Sequence, residues 1–303
     1  MPDTWRLGAA GERARVAIVG CGGAGCNTLR PLAAPSNAER IAVNDAPHGS
    51  MVGLSRRVLL RPDRLRDFAF MDEHVIQNME TDEEKVLAAA LIDRDLVIAL
   101  GGLGGAFGGW AMGLVGRVAR ILGDASVGLA TSPFRAEGVL RRQAADAQLE
   151  LLRRKADGVV LFANDRLMEL APDLPLGRSF AVLGSIMARA ASGLATSVSR
   201  DEKVPFKRFL AKSRDWRFGM GAGTEKHRCF LAVEEAYKSP WFTGRGEDIR
   251  EAIVLLDQPP GAGLEDEILH EVRVRSPLAD LAWAPLPDPT DGDRVVVHVF
   301  AGL

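Results

Sequence analysis

The residues best placed to do chemistry are glycines. Gly101-Gly102-Leu103-Gly104-Gly105-Ala106-Phe107-Gly108-Gly109 follows an apolar run, Asp95 to Leu100, that predicts a buried parallel strand. It precedes a run to Leu122 whose apolar residues fit a helix. A glycine-rich turn between strand and helix leaves backbone N–H groups uncovered beside the positive end of a helix dipole, which is the physics of a phosphate cradle. One such turn is a weak signal, because close packing alone also demands glycine. A second lies upstream, in Val16-Ala17-Ile18-Val19-Gly20-Cys21-Gly22-Gly23-Ala24-Gly25-Cys26-Asn27. Two phosphate-type loops on neighbouring strands are far more specific than one.

Other candidates sit at predicted strand ends. Asn44 and Asp45 follow the strand Arg40 to Val43, where an open α/β sheet binds ligands. Asp45 can hold a ribose hydroxyl or simply cap a turn. Glu137 and Arg141 lie four apart at the start of a helix predicted over Ala136 to Lys155, hence on one face. They can serve a ligand or pair with each other. Between Leu54 and Leu100 there is no glycine, and the stretch is basic: Arg56, Arg57, Arg61, Arg64 and Arg66. Arginines clamp phosphate or form a solvated surface.

The elements that must position these residues belong to an ordinary globular chain. It has 303 residues, 47% hydrophobic and 26% charged, enough for two domains or one large one. A net charge of -2 argues against bulk attraction to nucleic acid or anionic lipid. Cys21, Cys26 and Cys229 form no metal spacing with the scattered histidines, so no metal site is expected. Neither a signal peptide nor a membrane-length apolar span is visible, and a cytoplasmic protein is expected. Residues 1–14 read as polar and loose. Strands are predicted at Val16 to Val19, Ser126 to Ala130 and Asp157 to Ala163, with Asn164 following the last. The helix after Gly25 ends near Pro31 or Pro35, and Glu80 to Leu91 is helical. Arg178 to Val198, rich in small and apolar residues, reads as a fully buried helix. Beyond it come a strand (Trp216 to Gly221), a helix (His227 to Tyr237), a strand (Glu251 to Leu256), a helix (Leu264 to Val272) and strands near Leu278 to Ala284 and Arg294 to Phe300.

The pattern resembles the FtsZ/tubulin superfamily, on the FtsZ side. Gly20 to Asn27 looks like the family's first nucleotide loop, and Gly101 to Gly109 like its signature turn over the phosphates. Thr131-Ser132-Pro133-Phe134-Arg135-Ala136-Glu137-Gly138 and Asn164-Asp165-Arg166-Leu167 match two further segments in order. The resemblance implies an α/β fold: a Rossmann-type nucleotide domain over 15–177, a central helix over 178–200 and a smaller α+β domain over 201–303. It implies nucleotide contacts from Gly20, Gly22, Gly23, Ala24, Asn27, Asn44, Asp45, Gly102, Leu103, Gly104, Gly105, Ala106, Phe107, Gly108 and Pro133. To these it adds Glu137 at the ribose, Arg141 at phosphate, Asn164 at the guanine edge and Phe180 stacked on the base.

The same resemblance exposes departures. The family threonines of the second loop fall at Phe107 and Gly109, and a glycine falls at Ala106. The Asp that grips guanine inside the central helix is missing; Ser185 is the nearest polar residue. Acids that position water for a neighbouring subunit fall at Lys203, Pro205 and Arg208, with Phe206 anchoring the match. No catalytic residue remains. The resemblance therefore implies a cytoskeletal, head-to-tail homopolymer with GTP or GDP weakly bound or absent, acting in cell division or in membrane remodelling through a membrane-associated adaptor. Two other readings stand. Gly20-x-Gly22-x-x-Gly25, with Asp45 about 20 residues on, fits a Rossmann-type NAD-dependent oxidoreductase. A non-polymerising regulatory subunit would keep the fold.

Overall fold

The computed structural model describes residues 4–54, 56–61, 81–287 and 292–303. The strands are β1 (Thr4–Arg6), β2 (Val16–Cys21), β3 (Ala38–Asn44), β4 (Arg56–Leu59), β5 (Leu96–Gly102) and β6 (Ala125–Ser132). They continue with β7 (Gly158–Ala163), β8 (Asp215–Gly223), β9 (Glu251–Asp257), β10 (Asp280–Pro285) and β11 (Val295–Gly302). The helices are α1 (Gly22–Leu29), α2 (Asp82–Leu91), α3 (Gly108–Leu122), α4 (Val139–Lys155), α5 (Asn164–Leu170), α6 (Leu176–Ser197), α7 (Lys203–Ser213), α8 (Arg228–Tyr237) and α9 (Glu265–Arg275).

All described strands join one sheet in the order β1-β10-β9-β11-β8-β7-β6-β5-β2-β3-β4. From β4 to β8 the pairing is parallel, while β11 runs antiparallel to β8 and β9. The two halves meet where Val159 and Val160 of β7 pair with Asp215 and Trp216 of β8. Strand period fixes the layers: Val16, Ile18, Leu96, Ile98 and Leu100 enter one core with α1, α6 and α7, and Ala17, Val19, Val97 and Ala99 enter another with α2, α3 and α4. The first core runs on under Trp216, Phe218, Leu255 and Phe300, so α6 spans both halves. On the opposite face of the second half, α8 and α9 cover Val254, Leu256, Val297 and Val299.

Several expectations change. Within 1–14, read as loose, Thr4–Arg6 pairs with β10 as an edge strand and Leu7 is buried, because its N–H reaches the Trp283 carbonyl at 2.7 Å. The first helix starts at Gly22, inside the glycine loop, and ends at Leu29. The helix predicted from Ala136 is broken: Arg135–Glu137 is a short 3₁₀ turn, and Gly138 at φ 95° turns the chain before α4 begins. The central helix is not fully buried. Leu183, Met187, Ala190, Ala191 and Leu194 face the core, while Phe180, Val182 and Ser185 are exposed. By length and composition Gly177–Ser197 could cross a membrane, yet half of that window is buried inside the protein. α2 begins with a capping box, Thr81 with Glu84. Arg56 pairs with Glu39 and Arg61 with Glu83, and Arg64, Arg66 and Glu80 lie outside the described residues.

Candidate functional site

The sheet reverses direction between β2 and β5. From β2 the chain winds outward through β3 to β4, and from β5 the other way through β6 to β7. That switch point is where a parallel sheet opens a crevice for ligands at its C-terminal edge. Both glycine loops sit there, one after each of the two strands.

The loops meet because neither carries a side chain at the contact. A Cβ on Gly22, whose φ is 69°, would come within 3.0 Å of Gly108 Cα, and a Cβ on Gly25 would sit 2.1 Å from the Leu100 carbonyl oxygen. The starts of α1 and α3 therefore converge. Neither has a side-chain cap: Cys21 and Phe107 occupy the cap positions and make no cap hydrogen bond. Two sets of first-turn N–H groups and two positive dipole ends point at one place, which suits an anion.

Beside them is a cavity of about 590 Å³, lined by Ala24, Asn27, Thr28 and Pro31 of the α1 side, Gly101 and Thr131 at the strand ends, and Phe180, Ala181, Gly184, Ser185 and Met187 of α6. Ala24, Asn27 and Thr28 share a helix face by their spacing of three and four. Phe180 is 52% exposed and meets Phe134 edge-on, centroids 5.5 Å apart. A half-exposed aromatic held by a second ring is a platform for a flat base. Asn164 does not line this cavity but sits one strand over, following Ala163, the register partner of Ser132. It is buried, and its Oδ1 has no hydrogen-bond partner among the described residues. A buried orphan acceptor is costly unless a ligand donor or water completes it. The residues present therefore fit a nucleotide.

Other expected contacts are limited in what they offer. Gly20 is buried in β2, and a Cβ there would strike the Gly25 carbonyl and Leu29, so its role is helix packing. Leu103 and Phe107 lie in the core, leaving only their backbone for a ligand. Phe107 packs beneath its loop, with Trp110 partly buried against the same core. Gly105 and Ala106 are exposed, and Gly23 and Gly102 are half-buried. Asn44 Nδ2 donates to the Ala46 carbonyl at 3.1 Å and holds a turn, while Asp45 is exposed. Glu137 is committed twice: it accepts from the Phe134 N–H at 2.8 Å and pairs with Arg141. Pro133 abuts Gly104. Burial pushes the Cys26 thiol up to about 11 and raises Cys21 as well, which disfavours the thiolate form.

The opposite edge of the sheet is built from side chains. Arg94 lies two residues before β5, and Asp124 immediately precedes β6. Lys203 Nζ donates to the Asp124 carboxylate at 2.7 Å and the Arg94 carbonyl at 3.1 Å, and Lys207 Nζ to the Asp124 carbonyl at 2.8 Å. Asp124 is 2% exposed; burial raises its pKa, and the Lys203 hydrogen bond pulls it back. Phe206 is fully buried, and Val204, Pro205 and Arg208 are exposed. Two of the basic residues on this segment thus have partners in their own chain. Asp124 carries no local signal that sequence reasoning could have found. Gln148, a buried polar residue against the second glycine loop, also went unread, although it interrupts an apolar face with Ala145, Leu151 and Leu152.

No protein-family model matches the chain. It is 32% identical over 309 residues to the cell division protein FtsZ of Methanothermobacter thermautotrophicus, covering 96% of this chain and 80% of that protein. It is 30% identical over 291 residues to cell division protein FtsZ 1 of Pyrococcus furiosus, covering 91% and 77%. Among solved structures, an empty FtsZ dimer from M. jannaschii superposes with a TM-score of 0.80 at 24% identity, over 96% of this chain and 88% of that one. The GDP-bound monomer of CetZ1 from Haloferax volcanii gives 0.73 at 18% identity, over 95% and 94%. The structural likenesses establish the FtsZ/tubulin fold, and the sequence likeness across nearly the whole chain goes further: the chain belongs to the FtsZ family.

Proposed function

We propose that this protein is a cytoskeletal, FtsZ-like filament former that stacks head to tail, holds a guanine nucleotide weakly at the switch point and does not hydrolyse it. The observation that carries this is the opposition of two ends. Uncapped helix starts converge at one edge of the sheet, and the Lys203–Arg208 segment sits at the other. β5 has seven residues, so the two lie about 20 Å apart along the strand. A contact joining opposite ends of two copies is heterologous and propagates instead of closing. An FtsZ dimer and a GTPγS-bound CetZ2 protofilament stand among the structural neighbours, which supports self-association.

In such a stack the incoming subunit presents Val204, Pro205 and Arg208 to the nucleotide, with no carboxylate among them. A positioned acid or base contributes about 10²–10⁴-fold in rate, so turnover is lost. Weak binding follows from Phe107 and Gly109, which supply no hydroxyl. Phe180 stacks on the base and Asn164 Oδ1 accepts from it, while Asp45, exposed at the end of β3, remains available to a ribose. The role is in cell division or membrane remodelling in the cytoplasm, reached through a membrane-associated adaptor.

The test uses purified protein. GDP or GTP should raise the melting temperature and NAD should not, since a ligand selective for the native state raises apparent stability. Phosphate release should stay at background at every protein concentration, and the protein should pellet as filaments. Protection by NAD alone would favour the oxidoreductase. Concentration-dependent phosphate release would restore an active GTPase. A monomer under all salt and nucleotide conditions would favour the regulatory subunit.

A further inference from the structure

Gln148 lies on α4 and is fully buried. Both ends of its amide are spent on the second glycine loop. The Gly104 N–H donates to Oε1 at 2.7 Å, and Nε2 donates to the Gly105 carbonyl at 2.7 Å. The socket exists because its walls are glycine. A Cβ on Gly109 would lie 2.2 Å from Oε1, and a Cβ on Gly104, which sits at φ 86°, would lie 2.6 Å from the Arg141 carbonyl oxygen of the same helix. The family resemblance puts a threonine at Gly109. That side chain and the Gln148 amide cannot fill the same volume.

We propose that Gln148 is a positioning residue, a latch that holds the second phosphate loop in its ligand-ready shape when no ligand is present. A glycine loop loses more conformational freedom on ordering than any other sequence, so something must hold it. A nucleotide would do so only while bound. Here a side chain anchored in a 17-residue helix does it permanently. The latch consumes the Gly104 N–H, which points inward, and leaves Gly105 and Ala106 exposed for a phosphate. The order of this face, and of any contact made through it, then does not depend on nucleotide. The inference rests on the nucleotide reading for the ligand's identity alone.

Hydrogen–deuterium exchange of peptides covering 101–109 tests it, in wild type and Gln148→Met, each alone and with GDP. Methionine keeps the volume and removes both hydrogen bonds. Expected is slow exchange in the wild-type loop, altered less than about twofold by GDP, and exchange about tenfold faster in ligand-free Gln148→Met, slowed again by GDP. A wild-type loop that exchanges as fast as the variant, or that GDP slows about tenfold, overturns the latch. Should Gln148→Met fail to fold, Gly109→Thr decides in its place. Its melting temperature should drop in the wild-type background and recover when combined with Gln148→Ala; an equal drop in both backgrounds overturns the proposal. If GDP alters exchange nowhere in either protein, including Gly22–Leu29, the nucleotide reading fails, and the ligand-free comparison still decides the latch.

Discussion

At the C-terminal ends of β2 and β5 the site is made of backbone, while at the N-terminal ends of β5 and β6 it is made of side chains. The two depend differently on which residues stand there. The convergence of α1 and α3 needs only that Gly22, Gly25 and Gly108 stay small, so it does not depend on the side chain at an exposed loop position such as Ala106. The arrangement at the other end depends on the identity of a few side chains. There Lys203 and Lys207 hold Asp124, and the segment is part of the fold's own scaffolding. A backbone site tolerates side-chain drift, and a side-chain site does not.

The sharpest way to break that contrast is to add atoms to the backbone site. Gly25→Val should cost about 3 kcal/mol or more, because the obstacle 2.1 Å away is the Leu100 carbonyl, which has no rotamer to yield. Gly23→Ala, with nothing within 4 Å, should change stability by less than about 0.5 kcal/mol. Urea unfolding of both variants checks this. Equal losses would mean that the loop is not built by close approach.

Lys203→Met probes the other end and should cost about 2–3 kcal/mol at neutral pH, the consequence of leaving a buried carboxylate without its ion partner. The sign with pH follows from Asp124. Burial raises its pKa in the folded state, and Lys203 opposes that rise. Without Lys203 the folded value climbs further above the unfolded one. The ionised carboxylate then counts against the fold at neutral pH, and the loss shrinks as pH falls toward about 4, where the group protonates in both states. Denaturation midpoints at pH 7 and pH 4.5 measure it. An equal loss at both would show that Lys203 acts by packing alone.

These two experiments also mark where the sequence was legible. The glycine loops, the strands flanking them and the order of elements from β8 onward were readable, because strand and helix periods and glycine spacing are local signals, whereas α7 was not read. Two features depended on what packs against what. Gly138 breaks the predicted helix from Ala136 because Glu137 turns back onto the Phe134 N–H, a contact no periodicity announces. The fate of Lys203 depended on Asp124, 79 residues away, so a lysine that stands where the resemblance puts an acid is tied to a carboxylate of its own chain. Phe180 and Asn164 could be named from the resemblance, but the orphan Asn164 Oδ1 is a property of packing.

A middle-sized effect comes from a side chain at the backbone site. Phe180→Ala should weaken GDP binding about tenfold, since base–aromatic stacking contributes about 1–3 kcal/mol. It should leave stability nearly unchanged, because the ring is half-exposed. Calorimetric titration with GDP and GMP gives the readout. Unchanged affinity would remove the base from this cavity and leave the helix starts as a phosphate site alone.

The smallest effect on the isolated chain, and the most informative about assembly, belongs to Arg208. It is exposed and has no ion-pair partner among the described residues, whereas Lys203 pairs with the Asp124 carboxylate and Lys207 donates to the Asp124 carbonyl. Arg208→Glu should therefore change stability by less than about 0.5 kcal/mol. If the end carrying Val204, Pro205 and Arg208 meets the nucleotide edge of the next copy, the guanidinium faces phosphate or, in an empty site, two positive helix starts. With nucleotide bound, charge reversal should raise the protein concentration needed for pelleting about five- to tenfold at low salt, the scale of a charge-assisted contact of about 1–1.4 kcal/mol. The difference should narrow at high salt, where screening weakens the pair. Without nucleotide the sign inverts: a glutamate is favoured by the helix starts, and the variant should pellet at least as well as wild type. Sedimentation of both proteins, with and without GDP, at low and high salt, separates these outcomes. A variant that matches wild type in all four conditions would show that this end of the molecule faces no neighbour.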